Sequence, residues 1–276
     1  MKLKKIKTEK TNLTPQPWTE VIARFYDWFD AYDGDFLMWQ QLLRNTESPL
    51  LELGCGTGRI LIQLAREGYH ITGLEMSKAM ITQAEHKIAQ CNMSVRKRIR
   101  ILQGDMSCFD YGKFGGVISA CNSFVQLPDR SKQLDTLCCI RKALSPGGCA
   151  HITIPRWTAP IGKQINLQSP SPFFLFEDSK NPETGWQTRM WCQYGPSSTV
   201  EVSRYRFKFE EFRSDGLNVT SYSPENGWHV FCDISMEDMI RLAKSAGLKT
   251  VDVFGDEDFR KPDEAEETLV FRFQKD

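Results

Sequence analysis

Three glycines at alternate positions, Gly54, Gly56 and Gly58, follow directly on a run of apolar residues. A turn built this way lets backbone amides meet a ligand without a Cβ in between. The N-terminus of a helix just beyond it favours polar or anionic groups. Two carboxylates flank the turn. Glu52 precedes it, where an acid suits an ammonium group better than a pyrophosphate. Glu75 lies 21 residues after Gly54, close to the spacing at which an acid accepts hydrogen bonds from ribose hydroxyls. A dinucleotide fingerprint would need Gly or Ala at position 59, but Arg59 stands there and the third glycine is Gly58, which argues against a nicotinamide-dependent enzyme.

These residues need a strand before the turn and a helix after it. Leu50–Leu53 reads as a short buried strand, and Ile60, Leu61, Leu64 and Ala65 fall on one face of a helix over 58–67 that Gly68 stops. Further strands are expected over 69–75, 99–102, 115–120 and 149–154, with His151 packed inside the last of these. Ser77 is a good N-cap for a helix over 78–90, and Ser145-Pro146-Gly147-Gly148 ends a helix over 130–144. Ser235 with Asp238 resembles a capping box and opens a helix to about 246, before strands over 248–254 and 268–273. This alternation predicts an α/β protein with a doubly wound sheet.

The run Glu52-Leu53-Gly54-Cys55-Gly56-Thr57-Gly58 resembles the first motif of the class I S-adenosylmethionine-dependent methyltransferases, and Gly104-Asp105-Met106 looks like the second. Cys121-Asn122-Ser123-Phe124 after the fourth strand is similar to bacterial members acting on small metabolites. The resemblance covers about 20–154 well and 235–273 more loosely. It implies a Rossmann-like fold with a seven-stranded, mostly parallel sheet, whose last strand, 268–273, runs antiparallel between 149–154 and 248–254. The implied cofactor is S-adenosyl-L-methionine and the product S-adenosyl-L-homocysteine. Implied cofactor contacts are Tyr26, Glu52, Gly54, Cys55, Gly56, Gly58, Glu75, Met76, Gly104, Asp105, Met106, Cys121 and Asn122. Asp105 would accept from the adenine amino group and Met106 would pack on its ring. Tyr26-Asp27 would lie near the methionine end, in a helical segment folded over the cofactor. Motifs for methylating nucleic-acid bases, an Asp/Asn-Pro-Pro-aromatic run or a Pro-Cys pair, are absent. No acid cluster near 115–120 suggests a metal.

Residues 1–17 form a Lys-rich tail, 18–45 a helical cap, 46–154 the cofactor core, 155–234 an insertion and 235–276 the completion of the sheet. The insertion holds four of the seven tryptophans, Trp157, Trp186, Trp191 and Trp228. A strand over 199–212 changes its apolar face near Arg204, which suggests a bulge or a bend, and 218–222 and 228–232 could pair with it. The insertion is either a sheet covering the site or a homodimer surface. The acidic loop 256–267 is expected to be solvated. Expected substrate contacts are Asn122, Phe124, Trp157, Trp191 and Trp228. His229, with Tyr26 second, is the candidate base.

A net charge of zero over 276 residues gives no electrostatic reason to expect a nucleic-acid or membrane partner. Nine cysteines without a Cys-x-x-Cys pair point to free thiols and a cytoplasmic setting. The leading expectation is methyl transfer to a nitrogen or oxygen of a small molecule. A non-catalytic cofactor-binding regulator and a protein or RNA methyltransferase are the other readings. Gly56→Val is expected to abolish cofactor binding in a folded protein; calorimetry with S-adenosylmethionine, beside a circular-dichroism spectrum, checks this, and normal binding would make the turn purely structural.

Overall fold

A computed structural model describes residues 20–29, 34–155, 169–181, 184–196, 202–222, 228–256, 258–262 and 268–276. The tail and Trp157 lie outside the described residues. The elements in chain order are α1 (Glu20–Phe29), α2 (Phe36–Leu43), β1 (Leu50–Leu53), α3 (Arg59–Arg66), β2 (Ile71–Glu75), α4 (Lys78–Ala89), α5 (Met93–Arg96), β3 (Ile99–Gln103) and β4 (Phe114–Ser119). They continue with α6 (Arg130–Ala143), β5 (Leu144–Pro155), β6 (Phe174–Lys180), β7 (Gln187–Tyr194), β8 (Val202–Phe212), β9 (Asn218–Tyr222), β10 (His229–Cys232), α7 (Met236–Ser245), β11 (Leu248–Gly255) and β12 (Thr268–Lys275).

The central sheet has the order β3-β2-β1-β4-β5-β12-β11. Its first five strands are parallel, and β12 runs antiparallel to both β5 and β11. The seven-stranded sheet with an antiparallel strand second from one edge is therefore as the resemblance implied. Every residue of β1 and β2 is buried, because helices cover both faces of a parallel sheet; continuous apolar runs, not alternation, mark such strands. Strand order reverses between β1 and β4, so loops after these two strands diverge and leave a crevice at their C-terminal ends. The caps read from sequence are present: Ser77 accepts from the Met80 amide and Ser235 from the Asp238 amide.

A second, antiparallel sheet of order β10-β8-β7-β6, with β9 also on β8, is inserted between β5 and α7. Its inner face carries Phe207, Phe209, Met190 and Cys192, against which α1 lays Ile22, Phe25 and Trp28. Phe25 stacks on Phe209 with ring centroids 4.7 Å apart. In contrast, α2 packs on the central sheet through Met38, Trp39 and Leu43. The two N-terminal helices thus serve different sheets.

Three expectations change. β8 has no bulge near Arg204: its pairing with β7 and β10 runs in unbroken register. Ser203, Tyr205, Phe207, Phe209 and Glu211 simply share the inner face by strand alternation, and Val202 belongs to the outer one. β5 begins at Leu144 and carries the Pro-Gly-Gly segment within it, with a register shift against β4 between Phe114 and Gly116. Strands β6 and β7 were not foreseen, because their inward residues are mixed polar and apolar.

Gly115 is required by packing. A Cβ there would overlap the Glu47 carbonyl oxygen, part of the segment leading into β1. Gly115→Ala is expected to destabilise the fold by about 1–3 kcal/mol, read as a lower denaturation midpoint at unchanged slope.

Candidate active site

The loop between β1 and α3 is built on left-handed backbone: Gly54, Gly56 and Gly58 have φ of 69°, 53° and 81°. The Gly54 amide donates to the Leu74 carbonyl at 2.7 Å, tying the loop to β2. A Cβ on Gly54 would lie 2.7 Å from that of Ser123, whereas one on Gly56 would meet nothing within 4 Å. Bare, open backbone is therefore presented at Gly56. Cys55 turns away from it, its thiol packed on Gly73, where an added Cβ would sit 2.6 Å from the sulfur.

Glu75, at the end of β2, accepts from the Gly56 amide at 3.0 Å and the Ser77 amide at 2.8 Å. Burial pushes its carboxyl above the usual range, and these amides pull it back. Met76 next to it is exposed. After β3, Asp105 accepts from the Ser107 amide and hydroxyl, each at 2.7 Å, with Lys132 at 3.5 Å. Desolvation would raise Asp105, but Ser107 and Lys132 outweigh it and hold the carboxyl below its ordinary value. Gly104 follows from the Glu75 carbonyl, which accepts its amide at 2.9 Å. The Met106 methyl lies 3.3 Å from where a Gly54 Cβ would be.

Glu52 lies beneath the loop, 3 % exposed. The Leu61 amide donates to it, so it serves the start of α3, whose N-cap Gly58 has no side chain. Its Oε2 has no hydrogen-bond partner among the described residues. Burial pushes its pKa up to about 8; Arg59 lowers it, and Asp35 and Glu75 raise it further. A buried, orphaned carboxyl oxygen beside open glycine backbone fits a ligand carrying an ammonium, which would supply the missing partner.

Arg59 occupies the first residue of α3, where the helix macrodipole opposes a cation. Asp35 offsets this with a bidentate pair at 2.5 and 2.9 Å, and also accepts from Trp39 Nε1 at 3.1 Å. Arg59 Nη2 donates to Cys121 Sγ at 2.5 Å. A clasp closes from α1: Asp27 accepts from Thr57 Oγ1 at 2.5 Å and holds Lys87 Nζ at 2.8 Å from both carboxylate oxygens.

Between the sheets lies a cavity of about 780 Å³. Cys121, Asn122, Gln126 and Thr153, at the ends of β4 and β5, line its core side. Tyr205, Phe207 and Phe231 line the inserted-sheet side, with Tyr26 and Phe29 from α1. Asp256, Asp258 and Arg260 complete the lining beside the Asp35–Arg59 pair. The described part of the acidic loop is largely exposed, as expected, and also borders the cavity: Gly255 and Arg260 bridge, and the Thr268 amide donates to Asp256 at 3.0 Å.

Tyr26, Cys121 and Asn122 are brought together at this cavity. Phe124 is not; it is fully buried in the central core. Trp191 and Trp228 fall on the outer face of the second sheet, because they neighbour the outward Lys208 and Arg206: Lys208 lies over the Trp191 ring at 5.7 Å and Arg206 over Trp228 at 4.6 Å. His229 is 5 % exposed and stacks on Tyr205 at 5.1 Å, behind the lining. Burial lowers it to about 4, which leaves a weakly basic imidazole. Sequence reasoning missed Asp35, Arg59, Tyr205, Phe207, Phe231 and the 256–260 turn. Arg59 was weighed only for what it excluded, and the alternation in β8 could have exposed Tyr205 and Phe207. Among the described residues no His, Cys, Asp and Glu grouping could hold a metal ion, and no helix is long and apolar enough to cross a membrane.

A sheet of this order with a glycine loop at its reversal defines the Rossmann-like methyltransferase class. Residues 50–148 match a family model described as a methyltransferase domain. A putative methyltransferase of Bacillus subtilis strain 168, YqeM, is 32% identical over 240 residues, covering 86% of this chain and 88% of that protein. A solved S-adenosylmethionine-dependent methyltransferase from Clostridium acetobutylicum superposes with a TM-score of 0.72 at 16% identity, over 92% of this chain and 98% of that one. The sugar N-methyltransferase KedS8 from Streptoalloteichus superposes with a TM-score of 0.62 at 21% identity, over 89% and 91%. The chain belongs to the class I S-adenosylmethionine-dependent methyltransferases, with S-adenosyl-L-methionine as cofactor and S-adenosyl-L-homocysteine as product.

Glu52 gives the site a pH signature. The unfolded carboxyl titrates near 4.5 and the folded one near 8, so the unfolded state binds fewer protons between these values. Stability of the cofactor-free protein should be full below pH 4.5, as far as this group goes, and be lost as pH rises through about 8. Glu52→Gln, which cannot ionise, should remove that decline; denaturation midpoints at a series of pH values check it.

Proposed function

We propose that this methyltransferase transfers its methyl group to a nitrogen or oxygen of a small molecule seated in the cavity between the two sheets. The observation that carries this is the cavity itself, walled by Tyr26, Phe29, Tyr205, Phe207 and Phe231 and opening onto the ends of β4 and β5. A cavity of about 780 Å³ with aromatic side chains along one wall suits a small molecule, while a protein or RNA substrate would call for a longer charged groove. S-adenosylmethionine supplies an electrophilic methyl on a sulfonium. In this reading Gly54, Gly56 and Gly58 present backbone to the cofactor, Glu75 holds its ribose, Asp105 and Met106 its adenine, and Glu52 its ammonium; Tyr26, Cys121 and Asn122 border both ligands.

The chain's remaining task is to align the acceptor and exclude water, which accounts for most of the rate of an in-line transfer. Asn122 Oδ1 is buried with no hydrogen-bond partner among the described residues, and it is suited to accept an N–H or O–H of the acceptor. Nitrogen is the preferred acceptor in this reading, supported by the likeness to a sugar N-methyltransferase. A neutral amine needs no base to attack. His229, neutral and behind Tyr205, then supports the aromatic wall. The inner face of the inserted sheet is occupied by α1, which favours a wall of the site over a dimer surface. None of the nine cysteines is in a disulfide, which supports the cytoplasm as the setting.

The test is incubation with S-adenosylmethionine and a panel of small amines, phenols and alcohols, read by release of S-adenosylhomocysteine and gain of one methyl mass. Asn122→Ala should lower kcat/KM about 10–10²-fold, as expected for a misplaced acceptor. His229→Phe should keep most of the turnover and the same pH profile. A fall of about 10²–10⁴-fold with loss of the limb near neutral pH would instead make His229 the base. Methylation of a protein or RNA, with none of the small-molecule panel, would overturn the reading.

A further inference from the structure

Strand alternation puts Glu52 on the same face of β1 as Leu50, the face that α2 and α3 cover with Trp39, Ile60 and Leu64. An apolar side chain would serve that packing better. A carboxyl in such a place is costly unless something pairs with it. The described residues give it little: the Leu61 amide donates to the carboxyl, while Oε2 has no hydrogen-bond partner among them. Glu75, at the end of the adjacent strand β2, is served better, by the Gly56 and Ser77 amides.

The charge around Glu52 is one-sided. Among the described residues three charged groups act on it: Arg59 favours its ionisation, and Asp35 and Glu75 oppose it. Arg59 is already held by both carboxylate oxygens of Asp35. Lys87, which reaches the glycine turn at Thr57, is engaged by Asp27. Cys55 in the turn adds no charge, since burial and the two glutamates keep its thiol protonated. One guanidinium thus faces three acids, Asp35, Glu52 and Glu75, all nearly inaccessible. The least supported of the three keeps its proton when the site is empty, and that one is Glu52. The Asp35–Arg59 pair that flanks it also lines the cavity, so Glu52 stands at the edge of the space a ligand enters.

Resting on the reading above that Glu52 holds the cofactor's ammonium, we propose that S-adenosylmethionine enters this site in exchange for a proton, which Glu52 gives up to solvent. The O–H bond of Glu52 is the only bond broken. The ammonium keeps all of its protons, and the carboxyl becomes the carboxylate that pairs with it. Binding therefore depends on pH with the opposite sign to the stability of the empty protein. The empty carboxyl titrates near 8. Below that value each fall of one pH unit should weaken binding up to about tenfold, because the proton competes with the ammonium. The exchange also accounts for an acid beneath apolar helix packing: neutral, it costs little there, and it is charged only once its partner has arrived.

The experiment counts protons, not turnover. Calorimetry in buffers of differing ionisation enthalpy follows S-adenosylhomocysteine, which carries the same ammonium and is not consumed, at about pH 6.5, where an α-amino group is protonated. Wild-type protein should release close to one proton per ligand bound, and Glu52→Gln close to none. Wild-type affinity should rise at least about tenfold from about pH 6 to about pH 7.5, while that of Glu52→Gln stays level. Glu75→Gln should bind more weakly yet still release most of the proton. 5′-Methylthioadenosine, which lacks the amino-acid end, should release none from any of the three proteins. The comparison of the two ligands on wild-type protein stands even where a variant fails to fold. No proton released with S-adenosylhomocysteine, the same release from Glu52→Gln, or wild-type affinity that is level or falls over that pH range would overturn the proposal. Failure of the underlying reading looks different: Glu52→Gln would bind S-adenosylhomocysteine as tightly as the wild type at about pH 7.5, or 5′-methylthioadenosine would release the same proton. Weakened binding of S-adenosylhomocysteine alone to Glu52→Gln, with no proton released from the wild type, would leave the ammonium contact standing and refute the exchange.

Discussion

The position of helix α1 is the constraint on which the site depends. One side of it is buried on the inserted sheet and its Asp27 carboxylate is clasped to the glycine loop and α4. The two attachments differ in strength. Ile22 and Phe25 are fully buried, and each such side chain contributes about 1.5–3 kcal/mol. The Asp27–Lys87 pair is about one-third exposed on both sides, and ion pairs of that kind contribute about 0–1 kcal/mol. Apolar packing therefore makes α1 part of the inserted sheet, and the polar clasp fixes where that unit sits over the cofactor loop. The cavity walls come from both sheets, so its shape follows from the register that Asp27 sets.

Beneath the loop, the structure places acids where burial resists their charge. Glu52 and Glu75 are both nearly inaccessible, and both are served by backbone amides, Glu52 by Leu61 and Glu75 by Gly56 and Ser77. Of these amides, Gly56 belongs to the glycine turn, Leu61 to the first turn of α3 and Ser77 to the N-cap of α4. The glycine turn that opens backbone to a ligand thus also helps hold Glu75 in place, through Gly56. Arg59, at the least favourable end of α3 for a cation, is kept by Asp35 from the start of α2. Core and N-terminal segment are joined by charge as well as by packing.

The central sheet was legible in the sequence because buried parallel strands and capped helices leave strong local signals: Leu50–Leu53, the glycines, Ser77 and Ser235 all carried their meaning within a few residues. The cavity was legible at Cys121 and Asn122 on its core side and at Tyr26 on α1, where the family resemblance reached. The inserted sheet misled for a physical reason. Tryptophan was taken as the sign of a binding wall, yet Trp191 and Trp228 lie outside, stacked with Lys208 and Arg206, while Tyr205 and Phe207 face inward. Composition cannot tell the two faces of a strand apart; register can, and the apparent face change at Arg204 obscured it. The 256–260 turn was read as solvated because it is acidic; Asp258 and Arg260 are exposed, and tertiary placement adds that Asp256 and Asp258 border the cavity.

The place of β12 bears on how the protein is made. Residues 268–275 enter between β5 and β11, burying Val270, Phe271 and Phe273 completely. On the ribosome, strands β1 to β5 emerge with the inserted sheet following them, and through that time β5 presents an unpaired edge flanked by apolar surface. Unpaired edges of this kind recruit foreign strands, and growing chains that expose them are prone to aggregate. More than a hundred residues, by the numbering from Pro155 to Thr268, separate β5 from the strand that seals it. The nascent chain therefore passes through a long interval in which its cofactor loop is already made but its sheet is still open at the β5 edge.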